Sequence, residues 1–373
     1  MKSRLYSVLI ISIAVLAIFS AVGLVSACPG QGTSGANSSC FSHGPGAVYT
    51  IDNAATGNMV IKYDRDSNGT LTPSGTFSTQ GLGTGTGLGS QGAVVLTDNG
   101  SWLLAVDAGS NEISVFKVTT SSLNLTDKVS SNGMTPISVT SHGGIVYVLN
   151  SGGTPNIAGF VLSSSGMLTP IIGSVQPLSG VANSSPEQIG FNNDGKVLVV
   201  AEKGSNIIDT YTVNAAGVAS GPTTHASNNP GPYGFAFDDK GNLIISEAAN
   251  GTLSSYAVMD NGGLTLISGS VPDFGSAPCW VVITKDNQVF TSNAHGGTIS
   301  SYASNSGALV LSSSVAANVK IPALDLALSN DSGYLYNLNG NTITGFLVNP
   351  GGNLSQVTEV SGLPCSTTGL AAS

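Results

Sequence analysis

Short apolar stretches alternate with turns of Gly, Asp and Asn along most of the chain, and the order in which they come repeats. Each period reads as a proline, an apolar stretch, a polar turn, a second apolar stretch ending in Asn, Asp or Glu, and a third ending in an aromatic. Those aromatics are Tyr63, Phe116, Phe160, Tyr211, Tyr256, Tyr302 and Phe346, at intervals of 53, 44, 51, 45, 46 and 44 residues. A four-stranded antiparallel blade with short turns occupies about 40 to 50 residues, so seven periods predict a seven-bladed β-propeller. The aromatics then belong to the packed faces between blades.

Within a period the strands are legible one by one. Asn111-Glu-Ile-Ser-Val-Phe116, Asn206-Ile-Ile-Asp-Thr-Tyr211 and Asn341-Thr-Ile-Thr-Gly-Phe346 alternate apolar and polar positions after a turn residue, as a half-buried strand does. Asp98-Asn99-Gly100, Asn193-Asp194-Gly195 and Asp239-Lys240-Gly241 supply residues that tolerate positive φ in tight hairpins. Pro136, Pro186, Pro232, Pro278, Pro322 and Pro364 mark inner-strand starts, where no ladder donor is needed, and Gln91 takes that place in the second blade. The first blade enters at Ala47 without an inner strand, whereas Pro364 to Ser373 reads as an inner strand without a blade. The C-terminal strand is therefore expected to complete blade one, closing the ring and removing its open edges.

Composition sharpens the picture. The chain has 49 Gly and only 8% charged residues, against about 25% in an ordinary soluble domain, so hydroxyls and amides must hydrate its surface. Lys2 and Arg4 precede the apolar run Val8 to Val25, and Val25-Ser26-Ala27 places small residues ahead of Cys28. This is an export signal. Cleavage before Cys28, lipidation of Cys28 in a lipobox-like setting, and retention as an anchor are all compatible with it, and each puts the propeller outside the cytoplasm. The expected organisation is a signal or anchor over 1–27, a Gly/Ser-rich tail over 28–46 and the propeller over 47–373. Removing Lys2 and Arg4 takes the net charge from −9 to −11, which excludes electrostatic binding of nucleic acid. The membrane is reached only through the N-terminal segment or a lipid.

From Ala47 to Ser373 the chain resembles the lactonase-like seven-bladed propellers, which include bacterial 6-phosphogluconolactonases and 3-carboxymuconate lactonizing enzymes (cyclases), with repeats of the Tyr-Val-Thr-Asn type. The likeness rests on Val146-Tyr-Val-Leu-Asn150, Ala277-Pro-Cys-Trp-Val-Val-Ile283, Asp325-Leu-Ala-Leu-Ser329 and Gly362-Leu-Pro364. It implies the propeller fold and, where catalysis is kept, lactone chemistry at the channel mouth. It also implies Arg, Lys and His to grip anionic substrates. Here the chain departs from the pattern: past the signal its one arginine is Arg65, expected in a turn on the far face.

Candidate chemistry gathers where second strands end. Asn53, Asp107, Asn150, Glu202, Glu247, Asn293 and Asn339 occupy equivalent positions, one per blade, and read first as caps of the strand ends. Glu202 and Glu247 are the candidate catalytic bases, because neighbouring carboxylates raise one another's pKa. Glu187, Tyr233, Trp280 and His295 are the candidate ligand-binding residues, with Tyr233 and Trp280 read alternatively as core. No metal site and no cofactor are expected. His225 is placed in the loop before Pro232, and Cys279 and Cys365 are read as buried thiols too far apart to pair. Two functions follow: a secreted or surface-tethered protein binding a small neutral ligand, a carbohydrate or an envelope protein without turnover, or a hydrolase or cyclase for a weakly charged lactone.

Overall fold

A computed structural model of the chain describes residues 43–373. They form seven antiparallel sheets, with one short 3-10 turn at Pro350–Gly352. Each sheet runs from an inner strand at the axis to an outer strand at the rim. Blade four is representative, with Pro186–Phe191 innermost, then Val197–Glu202, Ile207–Val213 and Ala219–Ala226. Blade three departs in one respect, since its outer strand is broken into Leu168–Pro170 and Gln176–Pro177, both paired with Asn156–Leu162.

The seven repeated aromatics are buried between blades, as their spacing predicts. Packing is reinforced by tyrosines that reach across. Tyr147 of blade three donates its hydroxyl proton to the Gly217 carbonyl of blade four at 2.7 Å and accepts from the Ala219 amide at 2.8 Å. Tyr336 of blade seven reaches Gly69 of blade one in the same way, at 2.9 Å. Each ring lies across a cross-strand glycine: a Cβ at Gly159 would meet the Tyr147 ring at 2.6 Å, and one at Gly345 the Tyr336 ring at 2.6 Å. Glycine is required there by close approach.

The ring closes at blade one. Thr368–Ala372 is the inner strand beside Gly46–Ile51, in the register Val48↔Ala372, Tyr49↔Ala371 and Ile51↔Thr368. Arg65 ends the strand Met59–Arg65 and is buried; its guanidinium donates to the Ser373 carbonyl through Nε at 3.2 Å and Nη2 at 3.0 Å. The expected place is the far-face turn just past this strand, and it lies one step earlier, as the strand's last residue. The cation can be buried because the chain's last residue gives it an acceptor, while Tyr334 packs against it at 5.3 Å.

Side chains bridge the axis at its waist. Gln91 extends its amide to blade six, where Nε2 donates to the Val281 carbonyl at 2.8 Å and Oε1 accepts from the Val281 amide at 3.0 Å. Gln188 makes the same two-way pair with Phe235 of blade five, at 3.0 and 2.7 Å. Ser138 donates to the Gln91 carbonyl at 2.7 Å and accepts from the Ile189 amide at 3.1 Å. Side chains here do what a neighbouring strand would otherwise do, and cavities lie on the two faces to either side of them.

Ring closure predicts the effect of removing residues 368–373. Blade one would lose its inner strand and Arg65 its acceptor, so thermal melting followed by circular dichroism should lose its single cooperative transition. Size-exclusion chromatography should show aggregates formed through the opened edges. A sharp melt of a monomeric truncated chain would contradict the closure.

Candidate functional site at the channel mouth

The mouth is formed by the loops entering inner strands and those leaving second strands. The seven capping positions lie just beneath it, and all seven side chains are buried. Glu247 accepts from the Asn229 amide at 2.8 Å, Thr252 Oγ1 at 2.6 Å and Ser254 Oγ at 2.8 Å. Glu202 accepts from the Ser179 amide at 3.0 Å, from Ser179 Oγ at 2.7 Å and from Ser205 Oγ at 2.6 Å. Asp107 does likewise with Thr79, Ser114 and Asn58. Each carboxylate pins its blade's entry loop to the second strand. Neither Glu202 nor Glu247 is among the residues lining the mouth cavities described next.

Blade four carries an irregularity in this cap. Ser114, Ser254 and Ser300 face their capping residues from the third strand in other blades, but blade four has Asp209 there, with both oxygens buried and lacking a donor. Burial and the adjacent Glu202 push its pKa up to about 8. Asp209 therefore holds a proton in the folded protein that it releases near 3.9 when unfolded.

Two cavities meet at the mouth. One, of about 720 Å³, lies over blades three to five and is lined by Leu88, Pro155, Val181, Glu187, Lys203 and Tyr233 among others. The second, of about 550 Å³, continues over blades five and six between Lys203, Tyr233, Cys279, Trp280 and His295. Lys203 and Tyr233 are common to both. The structure thus brings together four predicted residues, Glu187, Tyr233, Trp280 and His295, and adds Lys203, which the sequence reasoning passed over.

Lys203 Nζ lies 2.6 Å from Glu187 Oε1 and 5.0 Å from the centre of the Tyr233 ring. Burial dominates at Glu187 and pushes its pKa up to about 7, with Lys203 and Ser185 acting in the opposite direction. Tyr233 and Trp280 meet edge to face at 5.1 Å. Both rings are almost wholly buried, so they offer edges to the cavities and no open stacking face. Their polar atoms are spent on one segment: Tyr233 Oη donates to the Gly89 carbonyl, and Trp280 Nε1 to that of Ser90 at 3.0 Å. That segment is the Gly/Thr-rich stretch 81–92, which crosses from blade one and forms part of the cavity wall. Its one sequence signal was Gln91 standing where other blades have proline.

Other candidates fall elsewhere. His225 belongs to the outer strand Ala219–Ala226, hydrogen-bonded to Thr210 and the Gly262 carbonyl, and not to the loop before Pro232. Cys279 is buried and its thiol pushed up to about 12 by that burial, which leaves it no nucleophile at neutral pH. Cys365 is exposed, which corrects its expected burial, and the two are not bridged.

Comparison with known proteins agrees with this architecture. Residues 30–176 match the family model for lactonase, 7-bladed beta-propeller. The chain superposes on a Lactobacillus plantarum protein with TM-score 0.73 at 16% identity, covering 88% of this chain and 99% of that one. The periplasmic gluconolactonase of Pseudomonas aeruginosa gives 0.69 at 14% identity (88% and 99%), and a candidate 6-phosphogluconolactonase of Bacteroides fragilis 0.70 at 15% (88% and 98%). No curated protein matches the sequence. The chain is a seven-bladed β-propeller, similar to the lactonase model over residues 30–176 and to these solved structures in fold around the ring. At these identities the solved structures speak for the fold alone, and the chemistry rests on the residues of the mouth.

The proton on Asp209 gives a stability prediction. A group whose folded pKa is raised contributes stability that is fully present below about 4 and lost as pH rises through about 8. Asp209→Ser, which restores the residue other blades use, should flatten the fall in melting temperature between pH 5 and pH 9. An unchanged pH profile would contradict the buried proton.

Proposed function

We propose that this propeller acts outside the cytoplasm and binds a small neutral ligand of carbohydrate type in the mouth groove, without turning it over. The observation carrying this reading is the Glu187–Lys203 pair. The groove's one lysine is neutralised by an adjacent carboxylate at 2.6 Å, so no spare cation is left to grip a phosphate or carboxylate. The remaining lining is hydroxyl, amide, backbone and aliphatic, with the edges of Tyr233 and Trp280, and His295 at the rim. Such a surface offers hydrogen bonds and apolar contact to a polyol. Export is supported by the sequence pattern of residues 1–27, which lies outside the described residues, and by the sparse charge. The Pseudomonas relative of the same fold is a periplasmic protein.

One observation favours a second reading. Glu187 lines a large cavity with its pKa raised to about 7, where a carboxylate is suited to general-base attack of water on a neutral lactone. In that reading Glu187 takes the part first assigned to Glu202 and Glu247, which are saturated by donors within their own blades.

Calorimetry with neutral oligosaccharides and rate assays on a panel of uncharged lactones distinguish the two. Binding should be saturable and weakened at least fivefold by Lys203→Ala, which unpairs Glu187, with lactone hydrolysis at the rate of buffer alone. Hydrolysis lost in Glu187→Gln would establish the enzyme instead, and absence of both would remove the mouth from consideration. Mass spectrometry of the mature protein should find Cys28 at its N-terminus, with or without lipid.

A further inference from the structure

On the face opposite the mouth lies a cavity of about 330 Å³ between inner strands, with Phe191, Phe235, Phe237, Leu326 and Asp325 among its walls. Asp325 is only 3% exposed. Its carboxylate accepts from the Gly369 amide at 3.1 Å, and no lysine, arginine or histidine lines the cavity to balance it. A buried carboxylate without a counter-charge is costly unless a ligand supplies one.

A second, independent observation concerns the rim. The turns joining inner to second strands on this face carry the exposed Asp98, Asp194, Asp239, Asp286 and Asp331. Against them stand Lys196, already shared between Asp194 and Asp260, Lys240, held by Asp239, and Lys285. His43 sits on Asp331 at 2.7 Å. An acidic rim over a low-dielectric funnel concentrates cations at its opening.

The pocket also selects among cations. Calcium takes six to eight oxygen ligands, and no cluster of three or more metal-ligating side chains occurs among the described residues. The amides of Gln91 and Gln188 are already committed to strand pairing. What remains is one carboxylate beside Phe191, Phe235, Phe237 and Leu326, with the Thr140 and Asn193 side chains also in the wall, a setting that suits an alkylammonium group bearing a hydroxyl. We propose that this far-face cavity is a binding site for a small organic ammonium ion, with Asp325 as its counter-ion and the phenylalanines as its apolar surround. The cavity shares no lining residue with the mouth cavities, although Asp325 lies next to Tyr233 and Trp280 of the mouth.

Choline and its neutral isostere 3,3-dimethylbutan-1-ol serve as probes, measured by calorimetry on the intact protein at pH 8 and constant ionic strength. Choline should bind saturably and the isostere should not. Asp325→Asn, of the same shape, should weaken choline at least tenfold. Burial pushes Asp325 up to about 7, and it is the one ionisable side chain lining the cavity, with Tyr233 on the mouth side. Choline affinity should therefore fall as pH drops from 8 to 6 and a proton takes the cation's place. No saturable choline binding by the unmodified protein, equal binding of the isostere, or full affinity in Asp325→Asn would each overturn the proposal.

Discussion

Seven strands that converge on an axis cannot pair with one another as strands in a sheet do, yet their inward-facing amides and carbonyls are shut away from bulk water. Each such group left without a partner costs about 1–3 kcal/mol, and a ring multiplies the problem by its number of blades. The solution here is to lend side chains to the backbone. Gln91 and Gln188 imitate a strand edge for Val281 and Phe235, Ser246 bridges the Gly234 and Cys279 carbonyls, and Thr50 serves those of Thr368 and Gly369. The abundance of amide and hydroxyl residues is thus more than a surface property: it supplies the polar interior of a propeller with few charges.

Much of this architecture was legible because a blade is a local object. The period from Tyr63 to Phe346, the Asp/Asn-Gly turns and the orphan strand after Pro364 each follow from contacts among residues near in sequence or displaced by whole repeats. Contacts across the ring left weaker traces. Nothing near Arg65 announces that its acceptor is the carbonyl of Ser373, since the two meet only once the ring has closed. Nothing in the Gly/Thr-rich stretch 81–92 announces that its Gly89 and Ser90 carbonyls take the hydrogen bonds of Tyr233 and Trp280 from blades five and six.

The candidate site was partly legible for a related reason. Glu202 and Glu247 stand out in a sequence poor in charge, and they share a repeat position with Asp107, but the same repetition supplies each with hydroxyl donors from Thr or Ser nearby. Their conspicuousness reflects capping. Glu187 lies in the inner strand of blade four and Lys203 in the turn just after its second strand, and they acquire meaning together, one residue correcting the charge of the other beside Tyr233. Sequence alone marks the carboxylate and misses the partner, because a pairing at 2.6 Å depends on how blade four's first two strands present their upper ends.

The waist formed by Gln91, Gln188 and Ser138 lies between two recesses on opposite faces of the propeller. Two chemically unlike recesses thus stand about one strand length apart, on the order of 20 Å, with side chains hydrogen-bonded to backbone between them.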